Sequence, residues 1–233
     1  MGRRRETKRG SGSYDGRCAI CGWEGVFGIS EERRPLDREY RCGGCRRVLR
    51  HRDEAHVLID EFGDGRQLTL DDLIQVPRVR SLAVYNVGSQ GPIRQRLATF
   101  DDYVESRFDP SRPLGEALPD GFVNQDLQRL TFVDGRFDLV TSSHVMEHVP
   151  DPWVAFSEIA RVLRPGGRMI FSVPAPFPLP DVSVARAEVR DGEVVHHAEP
   201  RYHSSPEGEP SLVFTDFGAD LLERLHGLGF DTR

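Results

Sequence analysis

A chain of 233 residues is long enough for one sizeable hydrophobic core and a small second domain. Its composition, 38% hydrophobic and 29% charged, is that of an ordinary soluble protein. No uninterrupted apolar run approaches the roughly 20 residues of a membrane helix. No apolar stretch follows the basic segment 1–9, which argues against a secretory signal there, and we expect a cytoplasmic protein.

The net charge of −6 is unevenly distributed. Residues 1–52 carry 14 lysines and arginines against 7 aspartates and glutamates, so this part is at +7 and the remainder at −13. A basic N-terminal part of this kind can bind phosphate or nucleic acid. The alternative, which we favour, is that its arginines form a solvated tail and a solvated surface.

The N-terminal quarter of the chain predicts a small metal module behind a tail. Residues 1–16 are rich in Gly, Ser and Arg and are predicted to be disordered. Residues 17–62 contain all four cysteines, as two CxxC pairs with 20 residues between them: Cys18, Cys21, Cys42 and Cys45. This spacing is typical of a four-thiolate Zn²⁺ site, which is structural because its coordination sphere is closed. Two disulfides or a redox CxxC are the alternatives. A cytosolic location disfavours disulfides, and a redox site needs only one CxxC pair.

The remainder of the chain alternates strand and helix signals. Residues 63–80 are predicted to be a linker in which Thr69 caps a short helix, 70–75. From residue 81 onward we predict strands at 81–87, 102–106, 137–142 and 169–173, and helices at 92–100, 151–164 and 216–228. This alternation predicts an α/β fold with a doubly wound, mostly parallel sheet. The segment 174–212 is rich in Pro, His, Arg and Glu without periodicity, and is predicted to be an insertion that serves as a lid or binding loop.

The motifs FDLV, EHVPDP and RVLRPGG follow one another between Phe137 and Val173. This block resembles class I S-adenosylmethionine-dependent methyltransferases, and the resemblance extends weakly over about two thirds of the chain. That family has a Rossmann-like sheet and binds its cofactor at the carboxyl ends of the central strands. The resemblance implies a methyltransferase domain over 81–233 with the insertion 174–212, and it implies that the last strands of the fold are truncated at Arg233.

The resemblance also implies a cofactor site. Its members are the loop after the first strand, a carboxylate for the ribose, an acidic-apolar pair for the adenine and two serines near the sulfonium: Asn86, Gly88, Gln90, Gly91, Glu105, Asp126, Leu127, Ser142 and Ser143. Two features depart from the family. It usually has an acidic residue where this chain has Asn86, and a GxGxG loop where this chain has only Gly88 and Gly91. An amide offers hydrogen bonds but no charge to the cofactor's cationic groups.

His144 is the candidate catalytic residue. It follows the fourth strand and could take a proton from a hydroxyl or amine during methyl transfer. With Glu147 and His148 it forms an HxxEH pattern, which inverted zinc peptidases place on a long helix; the Asp151 cap leaves no room for one. In ubiquinone-pathway O-methyltransferases, which the segment also resembles, a divalent ion can help bind an oxygen-rich acceptor. We favour a third interpretation, in which Glu147 and His148 only pin the loop by hydrogen bonds.

The predicted function is S-adenosylmethionine-dependent transfer of a methyl group to a small-molecule or saccharide-type acceptor, at oxygen or nitrogen. The insertion contains a polar cluster suited to substrate recognition or a second metal, or else to an exposed surface: His196, His197, Tyr202 and His203. Two alternatives remain open. One is an RNA methyltransferase whose cysteine module docks on nucleic acid; the other is a non-catalytic binding protein on a decayed fold.

Overall fold

The computed structural model describes residues 12–29, 39–88, 91–175, 178–204 and 210–232. The chain divides into two compact units. The first comprises residues 1–81 and 90–101, and the second comprises 82–89 and 102–233. The sequence-based domain bounds assign 90–101 to the second domain, so the structure groups this segment differently. Within the described ranges no helix is long and apolar enough to cross a bilayer.

The first unit combines an antiparallel hairpin with four helices. The hairpin pairs β1 (Tyr14–Arg17) with β2 (Glu24–Phe27). The helices are α1 (Leu49–Phe62), α2 (Leu70–Leu73), α3 (Pro77–Arg80) and α4 (Gly91–Leu97). The prediction of disorder over 1–16 was therefore wrong for the residues from Tyr14 onward, because the Tyr14 ring stacks on Phe27 across the hairpin. Residues 1–11 lie outside the described part.

A buried arginine organises the core of this unit. Arg52 of α1 is 3% exposed. Its guanidinium donates hydrogen bonds to the Tyr40 carbonyl at 2.9 Å and to the Tyr14 hydroxyl at 2.7 Å. Its centre lies 3.6 Å from the Phe27 ring centroid, a cation–π contact that strengthens away from water. The expectation of a solvated arginine surface is therefore wrong at Arg52.

The predicted cap of α2 is confirmed. The Thr69 hydroxyl accepts a hydrogen bond from the Asp72 amide at 3.1 Å, and the Asp72 carboxylate accepts one from the Thr69 amide at 2.9 Å. This reciprocal capping box satisfies two amides that the helix would otherwise leave without partners. The hydrogen bonds from Thr69 also hold the pKa of Asp72 below its usual value.

The second unit contains a five-stranded parallel sheet in the order β5-β4-β3-β6-β7. The strands are β3 (Ala83–Val87), β4 (Asp102–Arg107), β5 (Val123–Asn124), β6 (Phe137–Ser143) and β7 (Leu163–Ser172). The predicted doubly wound, parallel α/β fold is confirmed. Every residue of β3 is buried, as expected for the central strand of such a sheet.

Helix α5 (Pro152–Val162) begins as predicted. The Asp151 carboxylate accepts hydrogen bonds from the amides of Trp153 at 3.0 Å and Val154 at 3.2 Å. The following strand begins earlier than predicted, since Phe137 pairs with Leu163 before Leu139 pairs with Arg168. Four residues, 164–167, thus bulge from the strand, and the turn passes through Gly166 at a φ of +79°.

Short antiparallel strand pairs, which the sequence did not predict, occur in the insertion and just after it. β8 (Val184–Ala185) pairs with β13 (Thr215–Asp216), β9 (Ala187–Arg190) with β10 (Glu193–His196), and β11 (Tyr202–Ser204) with β12 (Pro210–Leu212).

The last helix, α6 (Leu221–Gly227), begins five residues later than predicted. Asp216 stays extended because its carboxylate pairs with Arg186 at 3.0 Å. Gly218 is also constrained, since a Cβ on it would lie 2.5 Å from the Val182 carbonyl carbon.

The close packing of the Trp23 ring explains why two positions of the cysteine module are glycine. A Cβ on Gly25 would lie 2.4 Å from the Trp23 ring, and one on Gly43 would lie 2.3 Å from it. The backbone thus approaches the indole closely at both glycines, and a Cβ at either position would force the ring to shift. Replacement of Gly43 by alanine should destabilise the first unit by about 1–3 kcal/mol through this overpacking.

Denaturant unfolding followed by tryptophan fluorescence measures this effect. Gly28→Ala is the matched control, because its Cβ would meet only the Ser13 Cβ at an ordinary 3.8 Å. Equal midpoints for both variants would contradict the packing of Trp23 described above.

Candidate functional site

The four cysteine sulfurs form a compact group. The sulfurs of Cys18 and Cys45 are 3.8 Å apart, and those of Cys21 and Cys42 are 3.7 Å apart. These distances far exceed the roughly 2.05 Å of a disulfide. A tetrahedron of sulfurs around Zn²⁺, with Zn–S bonds of about 2.3 Å, has edges of about 3.8 Å. All four sulfurs lie within 4.8 Å of one another, so the donor set fits a four-thiolate zinc site.

The backbone of the second CxxC turn is shaped for a thiolate. The Cys42 sulfur accepts hydrogen bonds from the amides of Gly44 at 3.3 Å and Cys45 at 3.4 Å. Burial raises the pKa of Cys18 and of Cys45. Without a metal these two thiols keep their protons at neutral pH, so that metal binding must release protons.

A hydrogen-bonded row crosses three strands of the parallel sheet near its carboxyl edge. Asn86 of β3 pairs in register with Glu105 of β4 and with Thr141 of β6. The Asn86 amide donates to the Tyr103 hydroxyl at 3.0 Å and accepts from the Thr141 hydroxyl at 3.0 Å. The Tyr103 hydroxyl in turn donates to the Glu105 carboxylate at 2.8 Å.

This row changes the role of Asn86. Its side chain is 1% exposed, and both ends of its amide are engaged inside the sheet. An aspartate at this position has no side-chain N–H to donate to the Tyr103 hydroxyl. It would also bury a negative charge in the same row as the Glu105 carboxylate. An acidic residue here would therefore disturb this hydrogen-bonded row.

The loop after β3 depends on Gly88. Its φ of +71° lies in the left-handed region, and a Cβ on it would lie 2.3 Å from the Val145 side chain. Only glycine fits both constraints. Gln90 lies outside the described residues. Gly91 begins α4 at a φ of +64° and belongs to the first unit.

The loop after β6 carries three polar side chains. The Ser142 hydroxyl is buried and has no hydrogen-bond partner among the described residues. The Ser143 hydroxyl lies 3.2 Å from that of Ser172. His144 has a φ of +55°, and its amide donates to the Ser172 carbonyl at 2.9 Å. A left-handed histidine is a strained conformation of the kind that clusters at functional sites.

Asp126 and Leu127 follow β5 and form part of a tight turn. The Asp126 carboxylate accepts hydrogen bonds from the Gln128 amide at 2.9 Å and from the Gln128 side chain at 3.3 Å. Leu127 is buried in the hydrophobic core of the second unit. The predicted contact of these two residues with adenine stays a prediction.

Glu147 is the centre of a cluster that the sequence did not assemble. Its carboxylate is buried, and one oxygen, Oε1, lies 3.6 Å from His148 Nε2, 3.6 Å from His203 Nδ1 and 4.0 Å from His144 Nδ1. Glu147 and His148 belong to a 3-10 helix of three residues, Met146–His148, so the long helix of a zinc peptidase is absent here. Burial lowers the pKa of His148.

The four polar residues of the insertion separate in the structure. His203 joins the Glu147 cluster, whereas His197 lies 3.7 Å from Glu188 and His196 is exposed on β10. Tyr202 is 53% exposed. No periodicity in the sequence indicates that β11 carries His203 to a carboxylate 56 residues earlier in the chain.

Comparison with known proteins points to one family. Residues 104–171 match the family described as a methyltransferase domain. An uncharacterized methyltransferase from Mycolicibacterium gilvum is 37% identical over 101 residues, which cover 40% of this chain and 39% of that protein. A ubiquinone biosynthesis O-methyltransferase from Coxiella burnetii is 35% identical over 78 residues, 33% of each chain. This chain thus spans well under half the length of these curated relatives.

Among solved structures, an S-adenosylmethionine-dependent methyltransferase from Mesorhizobium loti covers 70% of this chain and 84% of its own. It is 18% identical, with a TM-score of 0.40. The family match itself runs from β4 to β7 and so covers four of the five strands of the parallel sheet. Residues 104–171 of the second unit are therefore similar to a methyltransferase domain.

Proposed function

We propose that this chain is a methyltransferase that moves the methyl group of S-adenosylmethionine to oxygen or nitrogen of a small-molecule or saccharide-type acceptor. The observation that carries the proposal is the family match over 104–171, which falls on the strands whose carboxyl ends meet at one edge. In open α/β sheets ligands bind outside these ends. The similarity to a ubiquinone biosynthesis O-methyltransferase supports an oxygen acceptor on a small molecule.

Two features of the sheet edge fit the cofactor. Gly88 presents bare backbone in a left-handed conformation, which permits close approach of a ligand. The Ser142 hydroxyl is buried with no partner among the described residues, and it is available to a bound polar group. The bound cofactor would supply the methyl group and its own leaving group. Glu105 is our candidate for the ribose hydroxyls, and Asp126 with Leu127 for the adenine.

His144 is proposed to accept the proton of the acceptor. It follows the carboxyl end of β6, where Ser143 and the insertion border the proposed acceptor position. Its ring is partly exposed, which leaves it accessible to an acceptor. A base at this position removes the proton as the new bond to the methyl carbon forms. The rest of the protein's contribution is to position the acceptor and to exclude water.

The cysteine module is proposed to hold one structural Zn²⁺ per chain. The support is the tetrahedral spacing of the four sulfurs and the amide hydrogen bonds to Cys42. We expect Cys42→Ala to abolish zinc binding and to unfold the module, because a structural zinc supplies the folding free energy of its domain. Metal analysis of the purified chain, with circular dichroism, measures both effects. Arg41→Ala changes an exposed neighbour and should keep the zinc. Wild type without zinc, or with iron in its place, would contradict the proposal.

A further prediction concerns the loop after β3. Gly88→Leu should abolish stabilisation by S-adenosylhomocysteine, because the side chain would occupy the space of Val145 and of the cofactor. Thermal unfolding with and without S-adenosylhomocysteine is the measurement. Gly121→Ala is the control: it also replaces a left-handed glycine, at a φ of +89°, but its Cβ would meet nothing within 4 Å. An undiminished ligand-induced shift in Gly88→Leu would remove this loop from the cofactor site.

Another prediction concerns His144. If it is the base, His144→Ala should lower kcat by about 10²- to 10⁴-fold and leave cofactor affinity unchanged. Release of S-adenosylhomocysteine in the presence of a panel of hydroxylated small molecules measures the rate. His226→Ala, an exposed histidine of α6, is the control. A loss confined to the acceptor's KM would make His144 a positioning residue, and unchanged kinetics would exclude it from the site.

A further inference from the structure

We propose that the second CxxC turn of the first unit binds the phosphodiester backbone of a nucleic acid through Arg41, Arg46 and Arg47. The three arginines lie within the segment 41–47, and residues 40–52 contain no aspartate or glutamate. The turn belongs to the first unit, whereas the sheet edge belongs to the second. The proposal therefore goes beyond the proposed methyl transfer and does not depend on it.

The two CxxC turns share one backbone arrangement. In the first turn, the Gly22 amide donates a hydrogen bond to the Cys18 carbonyl at 2.9 Å. In the second turn, the Arg46 amide donates one to the Cys42 carbonyl at 3.0 Å. Each of these donors directly follows the second cysteine of its pair. Arg46 therefore occupies in the second turn the position that Gly22 occupies in the first.

This position has a left-handed backbone in both turns. The φ angle is +73° at Gly22 and +63° at Arg46. Glycine adopts the left-handed conformation without strain, whereas the Cβ of another residue comes too close to the backbone. Strained residues of this kind cluster at functional sites. An arginine at a position that favours glycine indicates that its charged side chain is used outside the turn.

The three arginines differ from the other arginines of the first unit. Arg41 and Arg46 are exposed, Arg47 is partly buried, and none of their side chains forms a hydrogen bond or ion pair within the described ranges. Each further arginine of the unit in those ranges has a partner: Arg17, Arg50, Arg52, Arg66, Arg78, Arg80, Arg94 and Arg96. A merely solvated surface does not explain why the arginines without partners all lie in one turn.

The backbone of the turn gathers these charges. The Cys42 amide donates a hydrogen bond to the Arg47 carbonyl at 2.9 Å, so the two ends of the segment 41–47 lie side by side. Helix α1 begins at Leu49 with no acidic residue in its first turn, and the amino end of a helix adds positive potential. The positive charge of the turn is therefore not cancelled by its immediate neighbours in the chain.

A phosphodiester chain suits this surface. A guanidinium donates paired N–H···O hydrogen bonds to phosphate oxygens. Each strand of double-stranded DNA carries one negative charge about every 3.4 Å along the helix axis, so one strand presents several charges to a single turn. In an extended acidic peptide, side chains on one face are about 6.8 Å apart, and fewer carboxylates lie opposite the same turn. The density of charge therefore favours a nucleic acid over an acidic protein.

Fluorescence anisotropy of a labelled oligouridylate, titrated with the zinc-loaded full chain at several salt concentrations, tests the surface. A parallel titration uses oligothymidylate: tighter binding of oligouridylate identifies RNA as the partner, and equal binding identifies any single strand. The lysine and arginines of residues 1–9 can also contact phosphate, so the difference between wild type and variants measures the turn. Neither cofactor nor acceptor is present, so this proposal and the proposed methyl transfer fail separately.

Arg46→Gly separates binding from folding. It removes one charge but supplies the residue that the left-handed position favours, so thermal unfolding should occur at the same or a higher temperature while binding weakens several-fold. The slope of log K against log salt should fall by about 0.7, the value of one phosphate contact to a single strand. Arg47→Gln should have the same effect on binding. Arg46→Lys keeps the charge and should retain the salt slope.

Arg80→Gln is the matched control, because it removes the same charge from an arginine that is already paired with Asp101. It should bind as wild type. Unchanged affinity and salt slope in folded, zinc-containing Arg46→Gly and Arg47→Gln would overturn the proposal, as would an equal loss in Arg80→Gln. Loss of zinc from Arg46→Gly and Arg47→Gln would show that these arginines serve the metal instead. Preferential binding of poly-glutamate over oligouridylate would make the partner an acidic protein, which also contradicts the proposal.

Discussion

A single buried amide constrains the sheet edge on which the rest of the second unit depends. Asn86 hydrogen-bonds to Tyr103 of one neighbouring strand and to Thr141 of the other, so three parallel strands are fixed in one register. A slip of one residue would turn each strand's buried side chains to the opposite face. The carboxyl ends of β3, β4 and β6 therefore meet at one edge, and the loops that follow β3 and β6 meet there too: Gly88 lies directly against Val145.

The same constraint explains the position of the histidine cluster. The loop after β6 enters the short 3-10 helix at once, because His144 turns through a left-handed conformation and its amide is held by Ser172 of β7. Glu147 then lies within the protein, where β11 and β12 close over it. His144, Glu147 and His148 thus lie in one loop, and the hairpin of β11 and β12 brings His203 to Glu147.

Local patterns predicted most of the central fold. The caps at Thr69 and Asp151 were readable because capping uses side chains within three residues in sequence. The parallel sheet followed from the alternation of strands and helices. The short strands of the insertion were not readable, since each contains two to four residues and is stabilised by partners distant in the chain. For the same reason the pairing of Asp216 with Arg186 shortened a helix that periodicity alone would extend.

The site was predicted less completely than the fold. The four cysteines were found because metal spacing is local in each CxxC pair, and their sulfurs do converge. The composition that suggested a solvated arginine surface could not show that Arg52 lies against aromatic rings. The sequence also could not show that the Asn86 side chain hydrogen-bonds within the sheet. Nor could it show which histidine of the insertion reaches Glu147; in the described part of the chain it is His203 alone.

The central claim is that the sheet edge binds S-adenosylmethionine, and calorimetry with S-adenosylhomocysteine on the wild-type chain tests it most directly. The account predicts saturable binding of one ligand per chain, with a dissociation constant below about 1 mM, or more than about 4 kcal/mol of binding free energy. No heat of binding at millimolar ligand would contradict it, and would leave a non-catalytic protein on a methyltransferase fold.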